Sequence, residues 1–273
     1  SGDLGRPNDA LMRAPVAPAP TDYLVIESTY GNRRHPTVDA QTELEVWLRH
    51  ALARNGAVVI PTFAVGRAQT LLLLIARLKD QGLLADIPVF LDSPMAVDAT
   101  ALYGRFRAEH RLDEAECRRM CGNATLVNTP EQSKALDSRT GPMIILSASG
   151  MATGGRVLHH LKTFAGDARN LILFAGFQEP GTRGAALLGG APTLRIHGQE
   201  YEVRAEVGQL EASSAHADAD ELLAWMGQLR PPPRRVFVTH GEPGAADTLR
   251  QRIEHEHGWA AVVPEYREVT ELS

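Results

Sequence analysis

Short apolar, β-branched runs alternate with amphipathic helical segments along most of this chain, and no other feature constrains its fold as strongly. Residues 57–60 predict a buried strand, and residues 68–79 predict the helix that follows it. Further strands are predicted at 23–26, 89–91, 143–146 and 170–174, and further helices at 38–54, 97–106 and 156–164. Such alternation predicts βα units around a mainly parallel sheet, in the α/β class.

The pattern changes after Gly189 and Gly190. Residues 193–196 and 201–207 flank a His-Gly-Gln turn, which predicts a β-hairpin. Helices are then predicted at 218–229 and 243–256, and strands at 235–238 and 260–263. We therefore expect residues 37–192 to form one α/β unit and residues 193–273 to belong to a different one.

Composition excludes several classes of protein. The two cysteines are too few for a disulfide scaffold or a cysteine-based zinc module. Apolar runs fall far short of the ~20 residues that a membrane span needs. No signal-peptide pattern is present, so we expect a cytoplasmic protein without a membrane partner. The formal net charge of −5 argues against a uniformly basic surface, so a nucleic acid would have to be held in a local groove.

Chemically capable side chains lie just past the carboxyl ends of predicted strands. Glu27, Asp92, Ser147 and His240 all occupy such positions. In open parallel sheets ligands bind along that edge, so the four positions together predict a site there. His240 alone has two interpretations, a hydrogen-bonded structural histidine or a rigidly held metal ligand.

His216 also has two interpretations. Asp218 is a plausible N-cap for the helix predicted after it. His216 would then lie in the loop before the positive end of that helix, where it could meet an anion such as phosphate. The alternative is a surface histidine beside an ordinary helix cap.

Three loops are candidates for binding phosphate. The glycine-rich stretch 147–156 lies between a strand and a helix and is either a cradle of free backbone N–H groups or a plain tight turn. Its sequence fits neither the Walker A pattern nor the dinucleotide-binding pattern. Arg67 and Arg183 each stand beside glycine in a loop. Each arginine either binds phosphate through two hydrogen bonds or is an ordinary solvated side chain. His159 and His160 are adjacent on a helix and cannot face one ligand together.

Several segments, taken in order, resemble the β-CASP branch of the metallo-β-lactamase-fold nucleases, which includes the cleavage-and-polyadenylation endonuclease and bacterial RNA-processing exonucleases. The matching segments are residues 1–6, 26–31, 60–69, 91–96, 147–155, 176–184, 213–218 and 239–242. The resemblance implies a β-CASP domain, with a mainly parallel sheet flanked by helices, and the C-terminal part of a metallo-β-lactamase αββα fold. It assigns residues 1–36 to the end of the N-terminal part of the lactamase domain, 37–192 to the β-CASP domain and 193–273 to the C-terminal return of the lactamase domain.

The resemblance also implies roles for individual residues. Asp3 resembles the carboxylate that bridges two zinc ions, and His240 resembles a histidine zinc ligand. Glu27 resembles an acid that supports the metal centre, and His216 a histidine that contacts the scissile phosphate and assists protonation of the leaving group. Single-stranded RNA would run between the two domains, and its phosphates would be bound by Arg67, Ser149, Gly150, Thr153, Gly154, Arg183 and Ser214.

The sequence departs from the family in one respect. The leading metal motif, His-x-His-x-Asp-His, is absent from the 273 residues. In the family this motif precedes the position of Ser1, so we expect this chain to be the C-terminal portion of a longer zinc-dependent ribonuclease. We expect the isolated chain to be inactive, and a homodimer is a candidate assembly. The alternatives are a catalytically inactive RNA-binding or scaffold subunit and a small-molecule hydrolase on the same fold.

Overall fold

A computed structural model describes residues 1–84 and 86–272 of the chain. Its strands are β1 Tyr23–Glu27, β2 Ala57–Pro61, β3 Val89–Asp92, β4 Thr125–Leu126, β5 Met143–Ser147, β6 Leu171–Ala175, β7 Thr193–Ile196, β8 Gln199–Glu202, β9 Glu206–Leu210, β10 Arg235–Thr239 and β11 Ala261–Val262. Its α-helices are α1 Ala40–Ala53, α2 Arg67–Asp80, α3 Pro94–Arg105, α4 Glu114–Gly122, α5 Pro130–Asp137, α6 Val157–Phe164, α7 Arg183–Leu188, α8 Ala219–Met226 and α9 Pro243–Arg252.

Residues 37–214 form one compact unit around a parallel sheet of six strands in the order β4-β3-β5-β2-β6-β9. Every residue of β2, β5 and β6 is buried, as expected for strands that helices cover on both faces. The predicted α/β class with a mainly parallel sheet is therefore confirmed. The sheet brings the loops that follow β2, β3 and β5 to one edge, because parallel strands all end on the same side.

Residues 1–36 and 215–273 form the other compact unit. Its three strands are parallel, in the order β1-β10-β11, and Glu27 pairs with Thr239 at their carboxyl ends. Ile26, Val236 and Val238 pack against α8 and α9, and these side chains are inaccessible to solvent. The pairing of β1 with β10 joins two segments that are far apart in the sequence, and it places Glu27 next to the loop that carries His240.

The two compact units meet in the sequence at 214/215, whereas the expected division fell at 192/193. The difference arises because β9 pairs with β6 along all five of its residues and so extends the six-stranded sheet. The predicted hairpin exists between β7 and β8, but its second strand, expected at 201–207, is divided into β8 and β9.

Two arginines expected in loops begin helices instead. Arg67 is the first residue of α2, and Arg183 is the first residue of α7, which Thr182 caps by accepting a hydrogen bond from Ala185 N. No helix among residues 1–84 and 86–272 is both long and apolar enough to cross a membrane.

Candidate functional site

Three chain segments meet at the carboxyl ends of β1 and β10. The first is the turn at residues 1–6, whose Leu4 carbonyl accepts a hydrogen bond from Ala217 N at 2.8 Å. The second is the loop after β1, and the third is the loop after β10. Residues 215–218 lie among them because Tyr30 and Asp218 form an isolated parallel bridge. Asp218 is the N-cap of α8, as the sequence predicts, and it also forms a capping box with Glu221.

Asp3, His216 and His240 form a cluster at this meeting point. Each offers one donor atom that lies within 4.8 Å of the donors of the other two. Nδ1 of His240 is 3.6 Å from Oδ1 of Asp3, and the rings of His216 and His240 are stacked with centroids 5.9 Å apart. The side chains of Asp3 and His240 are 67% and 60% exposed, so a ligand can reach them from solvent.

Glu27 lies buried beneath the cluster. Its Oε1 accepts a hydrogen bond from Leu4 N at 2.5 Å, and its Oε2 lies 2.9 Å from Nδ1 of His216. Burial raises the pKa of this carboxyl, but the hydrogen bond and the charge of His216 outweigh burial and bring the pKa below its ordinary value. An ionised carboxylate only accepts hydrogen bonds, so Nδ1 of His216 donates to Glu27.

The loop after β10 is held close to the chain after β1. Ser28 Oγ donates to Thr239 O at 2.8 Å. A Cβ on Gly241 would lie 2.4 Å from the carbonyl oxygen of Ser28, so only glycine permits this approach. His240 has a φ of 54°, in the left-handed region that few non-glycine residues adopt. The geometry of His240 is therefore fixed by the backbone on both sides of it.

Two site residues were not predicted from the sequence. Thr29 places its hydroxyl 3.2 Å from Nδ1 of His240 and 3.5 Å from Nδ1 of His216, between the two histidines. His35 places Nε2 2.9 Å from the carbonyl oxygen of His216 and donates its backbone N–H to Asp218. Burial lowers the pKa of His35, which favours a neutral imidazole whose Nε2–H donates to that carbonyl. Thr29 lies in the segment 26–31 that carries Glu27, and that segment was the available sequence signal.

The glycine-rich loop after β5 lies in the unit formed by residues 37–214. Ser149 Oγ and Thr153 Oγ1 are 3.0 Å apart. Within residues 1–84 and 86–272, the backbone N–H groups of Met151, Gly154 and Gly155 donate no hydrogen bond. A Cβ on Gly155 would lie 2.6 Å from Ala148 O, so the tight path of the loop requires glycine there.

Arg183 supports this loop from α7. Its Nη1 donates to the carbonyl oxygens of Ala152 and Thr153, at 3.3 and 3.2 Å, and its Nε donates to Arg195 O at 2.8 Å. These three bonds leave Nη2 without an acceptor in the described part of the chain. Arg67 and Ser214, by contrast, are only 9% and 5% exposed.

Comparison with known proteins agrees with this arrangement. The profile of the Beta-Casp domain family matches residues 68–187, and that of the Zn-dependent metallo-hydrolase RNA specificity domain matches residues 200–264. The chain belongs to the β-CASP family of metallo-β-lactamase-fold proteins. Ribonuclease TTHA0252 of Thermus thermophilus is 41% identical over 89% of this chain and 56% of its own length.

Two further relatives show the same partial coverage. Transcription termination factor FttA of Pyrococcus abyssi is 32% identical over 89% of this chain and 40% of its own length. The corresponding factor of Methanocaldococcus jannaschii is 31% identical over 92% of this chain and 42% of its own length. The chain thus spans about half the length of these curated relatives, or less.

The clustered donors suit zinc. Zinc binds imidazole nitrogens and carboxylate oxygens, so Asp3 and His240 offer one oxygen and one nitrogen, and His216 lies beside them. Within the described residues this is the only group of three or more such side chains. Two protein ligands leave coordination positions of an ion unfilled, so a complete zinc site needs donors beyond this cluster.

Two residues that the sequence places at the strand edge have structural roles. Asp92 and Ser147 are inaccessible to solvent, and Ser147 Oγ donates to Asp92 O at 3.0 Å. The carboxylate of Asp92 accepts hydrogen bonds from Ser133, Arg156 and His160. His160 lies between Asp92 and Asp137, with 2.7 Å to each carboxylate. Sequence reasoning dismissed His160 as half of a ligand pair and missed this role.

Proposed function

We propose that the complete gene product is a zinc-dependent ribonuclease and that this chain supplies part of its catalytic centre. The observation that carries the proposal is the Glu27–His216 pair beside Asp3 and His240. A buried carboxylate that orients a half-exposed histidine next to metal donors is an arrangement suited to hydrolysis.

Asp3 and His240 would hold zinc through a carboxylate oxygen and a ring nitrogen. When bound, zinc acidifies water and stabilises negative charge on a phosphate. Hydrolysis adds the oxygen of water to phosphorus and breaks the bond from phosphorus to the leaving oxygen, which then needs a proton. His216 is positioned to give that proton from Nε2, because Glu27 holds its Nδ1.

The glycine-rich loop would bind the phosphates of single-stranded RNA. Its unused N–H groups, the hydroxyls of Ser149 and Thr153 and the Nη2 of Arg183 are all donors, which suits an anion. Gly154, where an added Cβ would meet nothing within 4 Å, would let the RNA backbone approach, whereas Gly150 is buried against Phe63. Arg67 and Ser214 are buried, so we do not expect their side chains to contact RNA directly.

The isolated chain has few candidate metal donors. Its described residues provide one cluster of three donors, fewer than two zinc ions require. We therefore expect the 273-residue chain alone to bind zinc weakly and to leave RNA intact, and we place the ribonuclease activity in the complete gene product.

The test is cleavage of labelled single-stranded RNA by the complete gene product. We expect cleavage that a chelator abolishes and that added zinc restores, and we expect His216→Ala to remove it. His255→Ala is the matched control, because His255 is exposed and lies away from the cluster. Cleavage that persists without metal would contradict the proposal. RNA binding without cleavage by the wild type would favour the inactive RNA-binding subunit.

A further inference from the structure

Phe63 exposes an aromatic ring in the loop between β2 and α2. The residue is 48% exposed, and the only other phenylalanine among the exposed large hydrophobic residues is Phe106, at 51%. Phe63 follows β2 at the same edge of the sheet as the glycine-rich loop, because β2 and β5 are adjacent parallel strands. An exposed ring at a ligand-binding edge needs an explanation other than core packing.

The ring lies directly against the glycine-rich loop. A Cβ on Gly150 would be 2.9 Å from Cδ2 of Phe63 and 3.0 Å from its Cε2. No side chain fits between the ring and the loop at this point, so glycine at position 150 permits the contact. One edge of the ring is therefore covered by the loop backbone while much of the residue stays in solvent.

The backbone on either side of the ring is fixed. Phe63 O accepts hydrogen bonds from Ala68 N at 3.2 Å and from Thr62 Oγ1 at 3.3 Å. Thr62 N donates to Ser147 O at 3.0 Å, which ties this loop to the end of β5. A ring held in this way loses little conformational freedom when a ligand covers it.

Donors for an anion lie in the same loop that the ring touches. The unused N–H groups of Met151, Gly154 and Gly155 follow Gly150 within five residues, and Ser149 precedes it. A nucleotide combines an anionic phosphate with a flat apolar base, and this surface offers hydrogen-bond donors beside an aromatic ring. A purely apolar partner would leave those donors unpaired, so the chemistry favours single-stranded nucleic acid over an apolar protein segment.

We propose that Phe63 stacks against a base of single-stranded RNA whose phosphate lies at the glycine-rich loop. This inference rests on the proposed RNA-binding function and adds a base-binding position to it. Stacking on an aromatic side chain tolerates any base, so the position contributes affinity without sequence specificity.

The experiment compares two oligomers bound by the 273-residue chain, an oligoadenylate of about 12 nucleotides and an abasic oligomer of equal length, by fluorescence anisotropy. We expect Phe63→Leu to weaken binding of oligoadenylate about 5-fold or more and to leave the abasic oligomer unchanged. Phe63→Tyr keeps the ring and should keep the affinity. Phe106→Leu is the matched control and should change neither.

The outcomes separate this inference from the proposed function. If the wild-type chain binds neither oligomer, its RNA binding fails and the base-binding position fails with it. If the wild type binds oligoadenylate but Phe63→Leu has no effect, or weakens both oligomers equally, RNA binding stands and the stacking role is wrong. The melting temperature of each variant shows whether the fold is intact, and Phe63→Tyr tests stacking if Phe63→Leu is unstable.

Discussion

At the scale of single residues, the candidate site depends on one buried carboxylate. Glu27 accepts hydrogen bonds from Leu4 N and from His216 Nδ1, so it connects the turn that carries Asp3 to the histidine beside it. Loss of its charge would free the ring of His216 to rotate and to change tautomer. Partners of this kind, one step removed from the ligands, commonly determine how well a metal site works.

We expect Glu27→Gln to lower kcat for RNA cleavage about 10- to 100-fold while zinc content falls much less. The glutamine keeps the size of the side chain but cannot hold His216 Nδ1–H with a negative charge. The measurements are steady-state kinetics and metal analysis of the complete gene product. Glu109→Gln changes an exposed acid and is the control. An unchanged kcat would show that Glu27 does not orient the catalytic histidine.

Asp3, Glu27, His216 and His240 could be nominated from the sequence because each lies in a short, distinctive segment. The structure brings all four together. Thr29 lies in the segment of Glu27, but nothing in that segment shows that its hydroxyl reaches both histidines, and His35 lies in none of the matching segments. His160 was dismissed by comparing it only with its neighbour in the sequence, whereas its partners come from β3 and α5.

At the scale of secondary structure, α6 is tied to the sheet by a buried ionic network. Both ring nitrogens of His160 face carboxylates, Asp92 and Asp137, so both donate and the ring is an imidazolium. Burial lowers the pKa of His160, but the hydrogen bonds to Asp137 and Asp92 outweigh burial and raise it. Burial raises the pKa of Asp92, but its hydrogen bonds with His160, Ser133 and Arg156 lower it overall.

This network makes stability depend on pH. A raised pKa of His160 in the folded state stabilises the chain below the unfolded pKa, and that contribution is lost as pH rises through the folded pKa. The lowered pKa of Asp92 stabilises the chain above the unfolded value, and that contribution is lost as pH falls through the folded pKa. Both contributions are present together between about pH 4 and pH 6.5.

We expect Asp137→Asn to lower the free energy of unfolding at pH 6 by about 1.5–3 kcal/mol. We also expect the contribution of His160 to be lost at a lower pH than in the wild type as the pH rises. The variant removes one of the two carboxylates that hold the imidazolium. Urea unfolding followed by circular dichroism from pH 5 to pH 9 measures both effects. Asp167→Asn removes an exposed acid paired with Arg169 and should leave the pH dependence unchanged. Identical pH profiles for Asp137→Asn and the wild type would exclude an imidazolium held by this pair.

Prediction of elements from the sequence succeeded where apolar side chains mark a buried strand or one face of a helix, and it failed where few such side chains are present. The positions of α1, α2, β2 and β5 follow closely from their apolar patterns. Helices α5 and α7 each bury only one large apolar side chain, Leu136 and Leu187, so the threonine caps Thr129 and Thr182 are their main signals. The pairing of β9 with β6 is a long-range choice that no local pattern specifies.

At the scale of the whole molecule, the formal net charge of −5 means that RNA binding must come from local donors. The unit formed by residues 37–214 offers such donors at its glycine-rich loop, where Arg183 keeps Nη2 available. Arg67, the first residue of α2, is only 9% exposed, so we expect Arg183 but not Arg67 to contact an RNA phosphate. This difference gives a matched pair of arginine variants.

We expect Arg183→Ala to make the dependence of log affinity on log salt concentration shallower by about 0.7 for single-stranded RNA, the value for one lost phosphate contact. The weakening should be similar for RNAs of different sequence, because phosphate contacts carry no sequence information. Arg67→Ala should lower the melting temperature and leave the salt slope unchanged. The measurements are salt titrations by fluorescence anisotropy and thermal unfolding. An unchanged slope for Arg183→Ala would show that its role is confined to supporting the loop.

The most direct test of the account is the zinc content of two histidine variants of the complete gene product. His240 is assigned to hold zinc, whereas His216 is held by Glu27 and assigned to the phosphate and the leaving oxygen. Metal analysis by atomic absorption should therefore find zinc reduced in His240→Ala and retained near the wild-type level in His216→Ala, although both variants cleave RNA poorly. Equal loss of zinc in the two variants would contradict the division of roles between these histidines.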